Sequence, residues 1–423
     1  MSFPDTRRLK KMQCVLPWMQ AVFQMVRSIT CLYSVRIYRY GPCPARGYTN
    51  MFFDYDFRNY NFRLMAYMIA LNVIGVLVVR SATNKDPDFV TKQLMGVMVG
   101  LVIAICLSLI DYHKILNFST IIYLLCICSL IAVLIWGKSV NNAKRWIEVP
   151  VLGQLQPSEF VKIGLIITFS WYFMKYQEKI NNVSTVAIAA ALFAVPAMLI
   201  FEQPNLSTCL VTLVIVLGIV FSAGISYRWI VGVLAVTIPM VGTCVYLLLH
   251  GLIPFIKEYQ AGRILAWFYP DRYGEARYQQ NNSIIAIGSG QLKGKGLFNT
   301  TIASVKNGNF LSEEQTDFIF AVIGEELGFI GCVIVIILFL LIVYECLMMA
   351  ARAKDLAGRL ICTGMATLIA FQGFANIAVA TGIFPNTGLP LPFISYGSSS
   401  LISIFIGMGL VLNAGLQRVP RHY

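Results

Sequence analysis

LICTGMATLIAFQGFANIAVATGIFPNTGLPLPFISYGSSSLISIFIGMGLVLNAGLQ, residues Leu360–Gln417, contains not one charged side chain. A bilayer span takes about 20 mainly apolar residues, so this run is too long for a single helix. Pro385, Pro390 and Pro392 divide it into two spans, Leu360–Gly382 and Leu401–Leu416. The same criterion, applied outward from here, finds eight more: Leu64–Val79, Leu94–Ile110, Leu116–Trp136, Phe160–Met174, Thr185–Phe201, Thr208–Gly224, Ile230–Leu249 and Glu326–Tyr344. The fourth is the weakest, because its uncharged core from Ile163 to Met174 is short. Whole-chain composition agrees with this reading. The 423 residues are 57% hydrophobic and only 13% charged, with a mean hydropathy of +0.70, whereas soluble chains carry about 25% charged residues. The expected fold class is an all-α polytopic membrane protein with about ten transmembrane helices.

Orientation follows from Lys and Arg in the short connections, which favour the cytoplasmic side. Asp111–Ile115, Lys175–Ser184, Ile225–Trp229, Ala351–Arg359 and the tail from Arg418 all carry basic residues, while Glu202–Ser207 and Ile383–Ser400 carry none. Both termini are therefore expected in the cytoplasm, with one large extracellular loop, 250–317, between spans seven and eight. Residues 1–56 are expected to form a basic N-terminal extension, disordered or upstream of a true start at Met51, and 57–423 the membrane domain. The net charge of +13 does not indicate nucleic acid, since no basic-aromatic module accompanies it. The 11 cysteines make no CxxC pair and read as small buried hydrophobes.

Polar residues gather in the expected outer segments. Lys144 and Arg145 beside Trp146 suit an anionic headgroup at the interface, or plain interface anchoring. Gln156-Pro157-Ser158-Glu159 opens the fourth span with a capping pattern. Lys162 follows one turn deeper and can pair with Glu159 at i+3. Ionisable groups at membrane depth are candidates for function. The large loop holds acids (Glu258, Asp271, Glu275, Glu313, Glu314, Asp317) and bases (Lys257, Arg263, Arg272, Arg277, Lys293, Lys295, Lys306), and Glu325 and Glu326 open the next span. A solvated face explains such a run equally well. Its Gly288–Gly296 stretch lacks the order of a P-loop. The three histidines, His113, His250 and His422, lie far apart in sequence, so zinc and triad chemistry lack residues. On these grounds alone the chain presents a carboxylate-bearing outer face suited to an amphiphilic, anionic substrate.

Three motifs in order, RWIEVPVLGQLQPSEFVK (145–162), TDFIFAVIGEELG (316–328) and LPLPFISYGSSSL (389–401), closely resemble the SEDS family, the RodA, FtsW and SpoVE proteins of bacterial cell-wall synthesis. The resemblance runs from about Phe57 to the end. It implies a peptidoglycan glycosyltransferase of the bacterial cytoplasmic (inner) membrane that joins lipid II disaccharides and works with a class B penicillin-binding protein. In such a reaction a carboxylate deprotonates the acceptor hydroxyl, and cations from Arg, Lys or a divalent metal such as Mg²⁺ or Mn²⁺ stabilise the departing lipid pyrophosphate. The family's loop segment usually reads N/D-P-x-x-D-P-x-G-x-G-Y-Q. Here the corresponding YPDRYGEARYQ (269–279) lacks the Asp-Pro pair. Asp271 falls nearest the position of the family's catalytic carboxylate, with Glu275 second. At Gln203–Thr208 the family's usual Asp is Asn205. Carried over as substrate-binding candidates are Lys144, Arg145, Gln156, Glu159, Lys162, Arg263, Gln279, Ser283, Lys295, Glu325, Glu326, Ser395 and Ser398. A lipid II flippase or transporter, and a non-catalytic scaffold of the wall-synthesis complex, are the alternative readings.

Overall fold

The structure is a computed structural model that describes residues 60–83, 86–140, 143–149, 153–249, 258–269, 272, 274–299 and 314–417. The proposed extension 1–56 lies outside them. Among the described residues, thirteen α-helices and three short strands follow in order: α1 (Phe62–Ala82), α2 (Pro87–Ser108), α3 (Tyr112–Asn117), α4 (Ser119–Trp136), β1 (Lys138–Val140), β2 (Ala143–Val149), β3 (Gly153–Leu155), α5 (Pro157–Lys175), α6 (Val183–Glu202), α7 (Leu206–Ala223), α8 (Tyr227–Leu249), α9 (Glu258–Phe268), α10 (Gly274–Ser289), α11 (Ile319–Ala351), α12 (Leu356–Ala380) and α13 (Ser398–Leu416). Each expected span coincides with one of these helices, and eight of them (α1, α2, α4, α6, α7, α11, α12 and α13) are long and apolar enough to cross a membrane by length and composition.

Helix starts are chemically explicit. Asn61 caps α1 by accepting from Leu64 N at 3.1 Å. Asp86 caps α2, whose first residue is Pro87, and Asp355 caps α12 by accepting from Gly358 N at 2.9 Å. Such caps satisfy backbone donors that the first turn leaves open. Burial then sorts the bundle into centre and rim. The apolar windows of α12 and α13 are 67% and 78% buried, whereas those of α4 and α6 are only 22% buried and turn mostly outward. Close approach of α2 to α13 depends on small residues: a side chain at Gly100 would overlap the Phe405 ring, and one at Gly409 would meet Leu107 Cβ at 2.8 Å. Glycines in this role are the common means of packing spans tightly.

The fourth expected span reads weakly because it is an interior helix. Most of α5, from Pro157 to Phe173, is buried, including Ser158, Glu159 and Lys162. Hydropathy measures suitability for lipid, and α5 meets protein on nearly every side. The expected all-α architecture also acquires a small sheet in the 137–159 connection. There β1 pairs antiparallel with β2, and β2 antiparallel with β3.

A charged clasp closes the end of the bundle opposite the large loop. His113, on α3, sits between Asp111 (Nδ1 to Oδ1, 2.8 Å) and Asp355 (Nε2 to Oδ2, 3.0 Å). The Tyr112 hydroxyl donates to Asp355 Oδ1 at 2.5 Å, and Gln417 Nε2 donates to Asp111 Oδ1 at 2.9 Å. The bonds to Asp111 and then Asp355 raise the His113 pKa to about 9. Burial works to raise Asp111, but hydrogen bonds from His113 and Gln417 outweigh it and hold that carboxyl below its usual range. A raised histidine pKa stabilises fully below the unfolded value of about 6.5, and a lowered aspartate pKa stabilises fully above about 3.9. The clasp is therefore strongest between about pH 4 and 6.5, and its histidine contribution disappears as pH rises through about 9. Thermal unfolding in detergent should fall between pH 6.5 and 9.5 for the wild type. In His113→Gln it should start lower at pH 6.5 and depend less on pH; an unchanged slope would place the titration elsewhere.

Candidate functional site

The expected site residues fall into three groups, of which the first and third border the turn 381–397 that links α12 to α13. The first group is built by β2, β3 and the start of α5. Arg145 on β2 donates from Nε to Gln203 O at 3.2 Å and from Nη2 to Pro204 O, so it holds the α6–α7 connection. Asn205, the departure noted above, caps α7 by accepting from Thr208 N at 3.3 Å. That is a task either Asn or Asp performs. Ser399 ties the sheet to α13: its hydroxyl donates to Gln154 O at 3.2 Å and accepts from Gln156 N at 3.1 Å. Gln156 Nε2 in turn reaches Ser158 Oγ at 3.2 Å.

One turn further along α5 lies an ion pair. Lys162 Nζ is 2.9 Å from Glu159 Oε2 and also donates to Gln372 Oε1 at 2.8 Å. Lys162 is 1% exposed, Glu159 2% and Gln372 0%. The pairing expected from the i+3 spacing is thus present, with an amide from α12 completing it.

The second group joins α10, the Gly-rich run and α11. Within α11 the helix breaks at Gly328 (φ 67°, ψ −165°), which leaves carbonyls and amides there without intrahelical partners. The Gly-rich run supplies them. Lys295 N and Gly296 N donate to Glu325 O (2.9 Å) and Glu326 O (3.0 Å), while Phe329 N and Ile330 N donate to Gln291 O (2.8 Å) and Leu292 O (3.2 Å). Lys295 Nζ then pairs with Glu325 Oε1 at 2.7 Å, and Ser81 Oγ donates to Glu326 Oε1 at 2.5 Å. These glycines serve close backbone approach. A side chain at Gly328 would overlap Gly294 N and crowd Leu292 C at 2.8 Å, at a positive φ. Gly328→Ala should therefore lower stability by roughly 3 kcal/mol, since this backbone region is essentially closed to other residues. Gly232→Ala, on α8 with nothing within 4 Å of its Cβ position, should leave the thermal midpoint nearly unchanged. Equal midpoints for the two variants would remove the interlock.

The third group is the large loop. Both α9 and α10 dock on the end of α12 through polar side chains. Trp267 Nε1 donates to Gly382 O at 3.3 Å, Gln280 Nε2 to Val379 O at 2.8 Å and Phe384 O at 2.7 Å, and Ser283 Oγ to Ala380 O at 2.8 Å. Arg263 on α9 lies beside the turn: its Nη1 and Asp317 Oδ2 are 3.7 and 3.1 Å from the Cβ position of Gly388. The hydroxyls of Ser283 and Ser395 are engaged with backbone, the latter donating to Thr316 O at 2.6 Å and accepting from Leu391 N at 2.7 Å. Gln279 and Ser398 are half-buried. Asp271 lies outside the described residues. Glu275 lies on α10 and Lys144 on β2, but their side chains are not among those described.

Two residues that sequence reasoning passed over hold the turn itself. Gln372 Nε2 donates to Pro390 O at 2.9 Å. Asn376 Nδ2 donates to Leu389 O at 2.7 Å and Asp317 O at 2.8 Å. Their signal was available: neutral amides at i and i+4 in an otherwise apolar span share one helix face.

A family model described as "Cell cycle protein", covering FtsW, RodA and SpoVE, matches residues 62–419. The chain is 32% identical over 357 residues to "Peptidoglycan glycosyltransferase MrdB" of Escherichia coli (strain K12), covering 84% of this chain and 93% of that protein. It is 34% identical over 374 residues to "Probable peptidoglycan glycosyltransferase FtsW" of Geobacter metallireducens, covering 86% and 96% respectively. Among solved structures it superposes on a chain of a peptidoglycan synthase complex that coordinates polymerization and crosslinking, with TM-score 0.70 and 29% identity over 84% of this chain and 97% of that one. It also superposes on the rod shape determining protein RodA of Thermus thermophilus, with TM-score 0.61 and 27% identity over 86% and 98%. Fold, motifs and the similarity over residues 62–419 agree, and the chain belongs to the FtsW/RodA/SpoVE family of cell cycle proteins.

Proposed function

We propose that this protein is a peptidoglycan glycosyltransferase that joins lipid II disaccharides at the outer face of the bacterial cytoplasmic membrane, with a class B penicillin-binding protein as its crosslinking partner. The similarity, over most of the chain, to proteins named peptidoglycan glycosyltransferases carries the reading. The relative solved within a synthase complex supports a transpeptidase partner.

In this reaction the acceptor's sugar hydroxyl attacks the anomeric carbon of the donor, the new glycosidic bond forms with inversion, and the polyprenyl pyrophosphate leaves. The acceptor proton passes to a loop carboxylate, Asp271 by alignment with the family segment and Glu275 as the next candidate. Positive side chains that face the outer turn, such as Arg263, suit the departing pyrophosphate. Among the described residues no group of three or more His, Cys, Asp or Glu gathers to hold a metal ion.

The test is polymerisation of labelled lipid II by the purified full-length protein, with and without its class B partner. Glycan strands from the wild type are the expected result. Labelled lipid crossing vesicles without strand formation would instead support a flippase. Partner binding with neither activity would leave a scaffold.

A further inference from the structure

The amides of α12 occupy an unusual position. Gln372 and Asn376 are both 0% exposed and lie one turn apart, and between them they hold two consecutive carbonyls of the outer turn, Leu389 and Pro390. Each also reaches a charged element. Gln372 Oε1 accepts from Lys162 Nζ at 2.8 Å, and Asn376 Nδ2 donates to the backbone carbonyl of Asp317 at 2.8 Å. Gly388, the residue just before this pair of carbonyls, is approached by both Arg263 and the Asp317 carboxylate. Apolar side chains of similar size would fill the same space, but they would leave the turn free to shift relative to α5 and α9.

We infer that Gln372 and Asn376 are positioning residues for glycosyl transfer: they set the backbone of Leu389–Pro390 from the rigid centre of the bundle and so fix Arg263, Asp317 and the Lys162–Glu159 pair relative to one another. Neither amide is exposed to substrate, so each acts through the groups it holds. The inference rests on the polymerase reading. Displacement of catalytic groups by about 1 Å can cost on the order of a hundredfold in rate, so loss of these bonds is expected to act on turnover.

The experiment measures kcat and KM for labelled lipid II with the full chain and its partner, normalised to folded protein, alongside thermal unfolding. Gln372→Met removes both bonds of that amide while keeping its length. Asn376→Ser keeps one donor and serves as the milder variant. The expected result is a kcat lowered roughly ten- to hundredfold by Gln372→Met, and less by Asn376→Ser, with KM within about twofold. Gln372→Asn, which restores an amide, should recover part of the loss. An active wild type whose variants lose only thermal stability, with kcat per folded molecule unchanged, would overturn the inference and leave the amides as scaffold. A silent wild type would overturn the polymerase reading and the inference with it.

Discussion

Lys162→Met should destabilise the protein by about 3–5 kcal/mol, because removing one partner leaves the other as a buried, uncompensated charge. Glu159 is 2% exposed and Lys162 Nζ lies 2.9 Å from its Oε2. Gln372 cannot compensate for the loss, since its Nε2 is already engaged by Pro390 O at 2.9 Å. Glu159→Gln alone should cost a similar amount by leaving the ammonium buried with only neutral acceptors. The double variant Glu159→Gln, Lys162→Met should recover most of the loss, since replacing a buried pair by uncharged groups is often nearly neutral. Thermal unfolding of the three variants in one detergent gives the coupling between the sites directly. Strictly additive losses would mean that the two charges do not depend on each other, contrary to their geometry. Polymerisation by the recovered double variant then asks a separate question, whether the charge itself is used once stability is restored.

The same pair shows how far sequence reading reaches. Spans are legible because about 20 apolar residues are needed wherever lipid is the solvent, and all ten expected spans meet a helix. The reading is weakest at α5, where the solvent is protein and the hydropathy rule no longer applies. The eighth span was expected at Glu326–Tyr344 but its helix runs Ile319–Ala351. Glu325 and Glu326 mark a boundary in hydropathy, yet in the fold Lys295 and Ser81 meet their carboxylates, so one helical segment runs through them up to the break at Gly328 and a second carries on beyond it. The strands of the 137–159 connection escaped notice because two have only three residues, too few to show an alternating pattern. The docking of α10 was illegible for another reason: Gln280 and Ser283 attach it by hydrogen bonds to the carbonyls of α12, which leave no apolar periodicity. Gln372 and Asn376 were overlooked because a search for charges in spans does not register neutral amides, although amides buried there need partners as well.

Asp271→Asn should reduce polymerisation by about 10²–10⁴-fold, the usual contribution of a positioned general base. An amide is nearly the same size as the carboxylate but cannot take the acceptor's proton, so binding of lipid II should persist while strands fail to form. In sequence Asp271 falls in the short link between α9, which ends at Phe268, and α10, which begins at Gly274. Both helices are anchored to the end of α12 by Trp267, Gln280 and Ser283. The two helices that flank the link are thereby held beside the turn where Arg263 and Asp317 approach Gly388. Two other acids compete for the role. Glu275 lies four residues further on, near the start of α10, and Asp317 already stands beside the turn, close to Arg263. Parallel assays of Asp271→Asn, Glu275→Gln and Asp317→Asn with the class B partner separate them. Loss confined to Asp271→Asn identifies the base. Loss confined to Glu275→Gln moves it one helical turn along the loop, and loss confined to Asp317→Asn moves it to the start of α11. Asp317 is also tied to α12, because Asn376 donates to its backbone carbonyl. If all three variants polymerise at the wild-type rate, proton transfer by a loop carboxylate is wrong for this chain, even though its membrane fold is that of the family.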